Sequence, residues 1–239
     1  MSILITICAR GGSKGIPSKN SKEIAGKPLI AYSIESAYKF AKVHVSEVAL
    51  STDDKNIIEI ASRFGLKTDY LRPSELATDT AGKIDTIKDV LLYHEKKNGL
   101  RYQYILDLDI TSPLRTIDDL EKGFEIITKN FEALNIFSVN KSHRNPYFNM
   151  VEKDLDGFYH LVKEPNSPIL SRQTAPKVYD LNASFYFYRR AFFDLNYRNA
   201  YTEKSLIYEM PHICFDLDDL IDFEFLSYLL ENNKIDFEI

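Results

Sequence analysis

The sequence predicts an α/β fold in three layers, a mostly parallel sheet with helices on both faces. Three observations carry that reading. Apolar runs alternate with stretches of helical periodicity as far as Val139, and the opening run from Ile3 to Ala9 is nearly all apolar and partly β-branched. The length of 239 residues, with 44% hydrophobic and 27% charged, suits a single domain built on one sizeable core.

Ile3 to Ala9 reads as a strand covered on both faces. The loop Arg10 to Lys27 follows, and Pro28 suits the first turn of a helix running to about Lys42. Val45 to Ser51 is a second strand, after which Asp53 or Asp54 caps a helix that Gly65 stops. Lys67 to Leu71 is expected as a third strand, and Ile84, Ile87, Val90, Leu91 and His94 mark the next helix. Tyr104 to Leu108 is the fourth strand. Thr116 to Lys129 is a helix with Thr116 or Asp118 at its cap, and Asn135 to Val139 is the fifth strand. Right-handed crossovers would gather ligands at the carboxyl ends of the strands. The alternation breaks between Lys141 and Lys177, where an Asp156-Gly157 turn sits among short alternating runs. Residues 141–176 are therefore expected as an inserted β-hairpin arm, whose Tyr147, Phe148, Phe158 and Tyr159 call for cover by a partner subunit. The core resumes at Leu181, and the segment from Cys214 reads as a strand followed by a closing helix.

Charge and cysteine content narrow the function. Thirty Lys and Arg against 35 Asp and Glu leave a net charge of -5, so nothing pulls the chain globally toward nucleic acid. Cys8 and Cys214 alone make no disulfide framework and no zinc spacing, and the amino terminus has neither the basic start of a signal peptide nor the length of a membrane span. A cytoplasmic protein is the expectation.

Three segments carry chemistry. ARGGSKGIPSKN, residues 9–20, follows the first strand directly. Gly11, Gly12 and Gly15 let its backbone N–H groups approach a ligand, and Arg10, Lys14 and Lys19 supply charge for a phosphate chain. A solvated surface loop is the alternative. Neither the Walker A spacing nor GxGxxG fits. LDLDITSPLR, residues 106–115, places Asp107 and Asp109 on one face of a strand, with Thr111, Ser112 and Arg115 beyond its end. Helix capping or a satisfied surface charge would explain the same residues. FDLDDLID, residues 215–222, clusters Asp216, Asp218 and Asp222, which repel unless a cation such as Mg²⁺ sits among them. Asp218 or Asp219 as a helix cap is the competing account. Phosphate loop and paired acids together suggest a nucleotidyl transferase.

These segments, with AGKPLIAYSI, VALSTDDKNI, LRPSELATDTA and RQTAPKVYDLNASFY in the same order, resemble the N-acylneuraminate cytidylyltransferases over nearly the whole chain. The resemblance implies a Rossmann-like nucleotidyltransferase sheet in a single domain, residues 1–239, with the arm joining a homodimer. It implies an enzyme in which the anomeric hydroxyl of a nine-carbon 2-keto sugar acid attacks the α-phosphate of CTP and pyrophosphate leaves, with no covalent enzyme intermediate. By motif, Arg10, Gly11, Gly12, Ser13, Lys14, Lys19 and Asn20 would hold the triphosphate. Arg10, Lys14, Lys19 and Asp216 would be the catalytic set. Arg72, Ala77, Asp79 and Ala81 would border cytosine and ribose, and Asp216 with Asp218 would hold Mg²⁺. Asp109, Thr111, Ser112, Arg115, Arg172, Gln173 and Asn182 would meet the sugar acid. Two departures stand out: Asp109-Ile110 replaces the usual Gln-Pro before TSPLR, and Asp180 stands where many relatives carry Arg. LDLD, RNPYFN and RQTAPKVYDLNAS look most like the bacterial legionaminate enzymes, with N-acetylneuraminate and pseudaminate as alternative sugars. A metal-dependent glycosyltransferase and a nucleotide-binding module without turnover are the readings from other classes.

Overall fold

Strand β1 (Ile3–Cys8) turns Ile3, Ile5 and Ile7 into one apolar cluster and Leu4 into another, so both of its faces are covered. The structure is a computed structural model and describes residues 1–12, 15–164, 167, 169 and 171–239. After the loop, a short antiparallel ladder of β2 (Glu23–Ile24) and β3 (Lys27–Pro28) leads into α1 (Leu29–Ala41). Pro28 is the residue before this helix rather than in its first turn, with an extended ψ of 142°. β4 (Ser46–Ser51) pairs parallel with β1, and α2 (Lys55–Arg63) is capped by the Asp54 side chain, which accepts from Asn56 N.

Lys67–Leu71, expected as a strand, forms none. The Thr68 hydroxyl donates to Leu50 O and Tyr70 O and accepts from Tyr70 N, so a side chain takes up groups that a ladder would use. β4 is therefore an edge of the sheet.

α3 (Lys83–Asn98) and β5 (Tyr104–Leu108) follow, and β5 pairs parallel with β1 on the side away from β4. α4 (Ile117–Lys129) begins with a capping box between Thr116 and Asp119. β6 (Asn135–Lys141) leads into a hairpin of β7 (Val151–Lys153) and β8 (Tyr159–Leu161). β9 (Tyr179–Arg189) then enters between β5 and β6, antiparallel to both. α5 (Arg190–Asp194), β10 (Ser205–Glu209) and α6 (Leu220–Glu231) complete the chain.

The main sheet runs β10-β6-β9-β5-β1-β4. Apolar residues of α1, α2, α4 and α6 pack on one face and those of α3 and α5 on the other, which makes three layers. The last strand lies at Ser205–Glu209, parallel to β6, rather than at Cys214. Cys214–Asp218 is instead held by individual bonds, from Asn140 Nδ2 to Cys214 O and from Leu217 N to Thr111 O (2.9 Å). Among the described residues no helix is long and apolar enough to cross a membrane.

β1 has β4 on one side and β5 on the other, so the connections leaving β1 and β4 diverge. A crevice opens at the carboxyl ends of β1 and β5, where open α/β sheets bind ligands.

Candidate active site

The crevice is a cleft of about 300 Å³ lined by Arg10, Lys19, Arg72 and Lys83 together with Asp79, Asp109 and Thr111. The glycine loop forms one wall because its backbone meets other segments where no side chain fits. A Cβ on Gly11 would lie 2.7 Å from Asp54 Oδ2, and one on Gly15 would lie 2.4 Å from the carbonyl oxygen of Asp218. Gly11 N donates to Asp53 Oδ1 (3.0 Å), Asn20 Nδ2 donates to Arg10 O (3.1 Å), and Lys19 Nζ donates to Leu217 O. The loop is thus latched to the segment between Asp216 and Asp218. Gly15→Ala is expected to force the two apart and lower kcat/KM roughly 100-fold, since an error near 1 Å at a reacting centre costs that much. Unchanged kinetics would show that this contact does not set the geometry.

The acids divide into two kinds. Asp107 is fully buried, accepts from Thr6 Oγ1 (2.8 Å) and lies 2.9 Å from Lys83 Nζ. Asp109 lies 2.5 Å from the same ammonium and accepts from both Thr111 N and Oγ1. Burial would raise the Asp109 carboxyl, but Lys83 overcomes it and holds the group at about 2. Asp216 has no ammonium this close, and Thr111 and Lys19 only partly offset its burial. Its Oδ1 is buried without a hydrogen bond among the described residues, and its carboxyl is raised by burial, then by the charges of Asp109 and Asp218. The cap of α6 is made by Asp219 with Asp222, which leaves Asp216 and the exposed Asp218 outside it.

An orphaned carboxylate oxygen beside a second acid fits a divalent cation. Among the described residues no three ligating side chains form a complete cage, and Mg²⁺ characteristically takes one or two carboxylates and draws its remaining ligands from water and substrate phosphates. Cys8 lines the cleft, yet burial above all pushes its thiol up to about 12, so no thiolate nucleophile stands there at neutral pH.

The family described as Cytidylyltransferase matches residues 4–238. The chain belongs to the cytidylyltransferase family. It is 36% identical over 234 residues to the post-translational flagellin modification protein B of Campylobacter coli, covering 98% of this chain and 97% of that one. It is 34% identical over 229 residues to the CMP-N,N'-diacetyllegionaminic acid synthase of Campylobacter jejuni, covering 95% and 94%. Among solved structures, the CMP:2-keto-3-deoxy-manno-octonic acid synthetase complexed with CTP superposes with a TM-score of 0.72 at 17% identity, covering 98% of this chain and all of that one, and so shares the fold.

In this cytidylyltransferase Arg10, Gly12, Lys19, Asn20, Arg72, Asp79 and Ala81 come together on the cleft, Ala77 is the chain neighbour of the lining residues Leu76 and Thr78, and Gly11, Asp216 and Asp218 are not among the lining residues. Arg10 Nη1 lies 2.5 Å from Asp79 Oδ1, and Arg72 is anchored by donating to Ser51 Oγ and O. Ser13, Lys14 and the side chain of Arg172 lie outside the described residues. Three residues expected at the sugar lie beneath the cleft instead. Arg115, 1% exposed, donates to Asp109 O, Ser112 O, Ser184 O and Ser33 Oγ. Ser112 is fully buried with its hydroxyl against Cys214 Sγ. Asn182 is turned inward where β9 adopts a positive φ of 58° at Ala183, and it bonds to Ser138 and Asn140. Gln173 lines a second cavity of about 360 Å³ at the base of the arm, with Lys141, Arg144, Lys177 and Tyr179. Lys83 escaped the sequence reading. Its one local signal is a cation at the first position of a helix, where the dipole disfavours it.

Proposed function

We propose that this cytidylyltransferase moves CMP from CTP to the anomeric hydroxyl of a nonulosonic acid of the legionaminic type, releasing pyrophosphate, in the assembly of surface or flagellar glycans. The observation that supports it most is the latch that ties the glycine loop, whose Arg10 and Lys19 line the cleft, to the segment carrying Asp216 and Asp218. Arg10, Ser13, Lys14, Lys19 and Asn20, with Gly11 and Gly12 of the loop, take the triphosphate, while Arg72, Ala77, Asp79 and Ala81 border cytosine and ribose. Asp216 and Asp218 would hold Mg²⁺, which would supply neutralisation of phosphate charge. The residues' task is to hold the sugar oxygen in line with the α-phosphorus and to exclude water. Asp109, ionised at about 2, is a weak base and serves as a hydrogen-bond acceptor.

The two relatives with flagellin-modifying and legionaminate names support the choice of sugar. Thr111 and Asp109 face it from the cleft, and Arg172 with Gln173 meets it from the arm. Phe158 and Tyr159 on the arm are 74% and 68% exposed, and we assign residues 141–176 to the contact with a second copy in a homodimer. Two free cysteines suit the cytoplasm. Pyrophosphate release is the test, with CTP, Mg²⁺ and in turn N,N'-diacetyllegionaminate, pseudaminate and N-acetylneuraminate. Release fastest with the first supports the reading. CTP binding without release from any of them ends it.

A further inference from the structure

The segment that carries Asp216 and Asp218 lies along the stretch that runs from the end of β5 into α4. Leu217 N donates to Thr111 O, Cys214 Sγ meets Ser112 Oγ at 3.4 Å, and His212 Nε2 lies 2.9 Å from Asp119 Oδ2. Thr111 therefore ties one end of residues 212–217 and Asp119 ties the other. His212 is the anchor at the start, four residues before Asp216.

That anchor is complete in one state of charge. Nε2 faces Asp119 and Nδ1 faces Ile213 O at 3.0 Å, so both ring nitrogens meet acceptors. A neutral imidazole has a single N–H and satisfies one of them, whereas the imidazolium donates to both. Asp119 is prepared for a cation. It is 1% exposed, sits in the first turn of α4 where the helix dipole favours a carboxylate, and is held by donors on Thr116 N, Thr116 Oγ1 and Tyr208 Oη. The Phe237 ring stacks on the imidazole at 3.8 Å, and its chain neighbour Asp236 adds a second negative charge. Burial would lower the imidazole, but the bonds to Asp119 and Ile213 O and the charges of Asp119 and Asp236 raise it above its ordinary value.

We propose that His212 is a positioning residue for the divalent cation: donating from both ring nitrogens, it pins the start of the acid-bearing segment to α4 and so keeps Asp216 and Asp218 where the metal needs them. Resting on the assignment of Mg²⁺ to those two acids, this adds control by a proton. The double anchor is fully present below the ordinary imidazole value near 6.5 and is lost as pH rises through the raised value. One of the two bonds then goes, the segment loosens at its start, and the metal is held less tightly. Linkage makes the effect reciprocal, so metal at the acids favours the proton on His212.

The test compares wild type with His212→Gln, whose amide N–H reaches Asp119 but leaves Ile213 O without that donor. The Mg²⁺ concentration for half-maximal turnover of CTP with N,N'-diacetyllegionaminate is measured at about pH 6 and about pH 9, either side of the imidazole titration. On the acid side the variant should need roughly fivefold more Mg²⁺, a modest coupling between two sites, and on the alkaline side the two proteins should need the same. Protonation of Asp216 and of the nucleotide weakens metal binding at acid pH in both proteins alike, so their ratio isolates His212. A second readout needs no turnover. The His212 imidazole is titrated by NMR in wild type saturated with CTP, before and after Mg²⁺ is added, and its value should rise by about 0.7 of a pH unit, the logarithm of the same factor. Direct repulsion between the two cations would lower it, so a fall or no change overturns the proposal, as does a Mg²⁺ ratio equal at the two pH values. If His212→Gln does not fold, the NMR titration decides alone. Turnover that needs no divalent cation overturns the metal assignment as well, whereas Mg²⁺-dependent turnover with a flat ratio overturns only the role of His212. An enzyme that does not turn over this sugar acid overturns the substrate reading, and the NMR titration still decides this one.

Discussion

Asp216→Asn is expected to lower Mg²⁺-dependent turnover by about 10³-fold or more while raising the thermal midpoint of the metal-free protein. Both effects come from one feature, a carboxylate placed where none of the described residues hydrogen-bonds its Oδ1. Burial, then Asp109 and Asp218, hold its carboxyl above the ordinary value. A carboxyl raised in the fold contributes stability below its unfolded value near 3.8 and loses that contribution as pH rises through the raised value. At neutral pH the charge is therefore a cost to the apo fold, and the neutral amide removes it. The same substitution takes away the oxygen that a cation would use. Thermal melts with and without Mg²⁺, beside turnover, check both halves. A midpoint that falls in the metal-free variant would mean that Asp216 has a stabilising partner in the chain.

Arg115→Leu is expected to destabilise the fold by about 3–5 kcal/mol, lowering the thermal midpoint by roughly 6 to 20 °C. The guanidinium sits where TSPLR leaves the sheet and donates to three backbone carbonyls of two segments, Asp109 and Ser112 on one and Ser184 on the other, as well as to Ser33 on α1. A Leu side chain takes a charged donor from every one of them, leaving Asp109 O with Ser33 Oγ alone, Ser112 O with Ser184 Oγ and Ser184 O with Asp109 N, and it loses the ties between the two segments and α1. Burial pulls the guanidinium down to about 10, so it is still charged at neutral pH. Arg115→Lys should restore only part of the loss, because three donors on a point cannot span the same acceptors. An unchanged midpoint together with a raised KM for the sugar acid would return Arg115 to the role that its motif suggests.

Much of the fold was legible in local pattern. Tyr104–Leu108 forms a strand with the bounds its apolar run indicates, and Asp54 and Thr116 cap helices as their positions suggest. Lys67–Leu71 misled because its composition suits a strand while Thr68 bonds to nearby backbone groups instead. β10 went unread because only Tyr208 of its five residues is buried, so it lacks the apolar run that marks β5. The antiparallel slot of β9 could not be read at all, since direction is set by the partners a strand meets rather than by its own residues.

The sequence by itself determined the alternation of strands and helices, the glycine and cation loop after the first strand, and the presence of two acidic pairs. Those features are local, set by backbone periodicity and by side-chain type within a few residues. Only the tertiary structure decided what each charge does. Asp107 and Asp109 meet a lysine from a helix more than twenty residues earlier, Arg115 turns inward to Ser184 O of β9, and Asp216 keeps a buried Oδ1 with no hydrogen bond among the described residues. Identical residue types acquire different roles because the energy of a charge is fixed by its distance to partners and to water, and those distances exist only once the chain has folded.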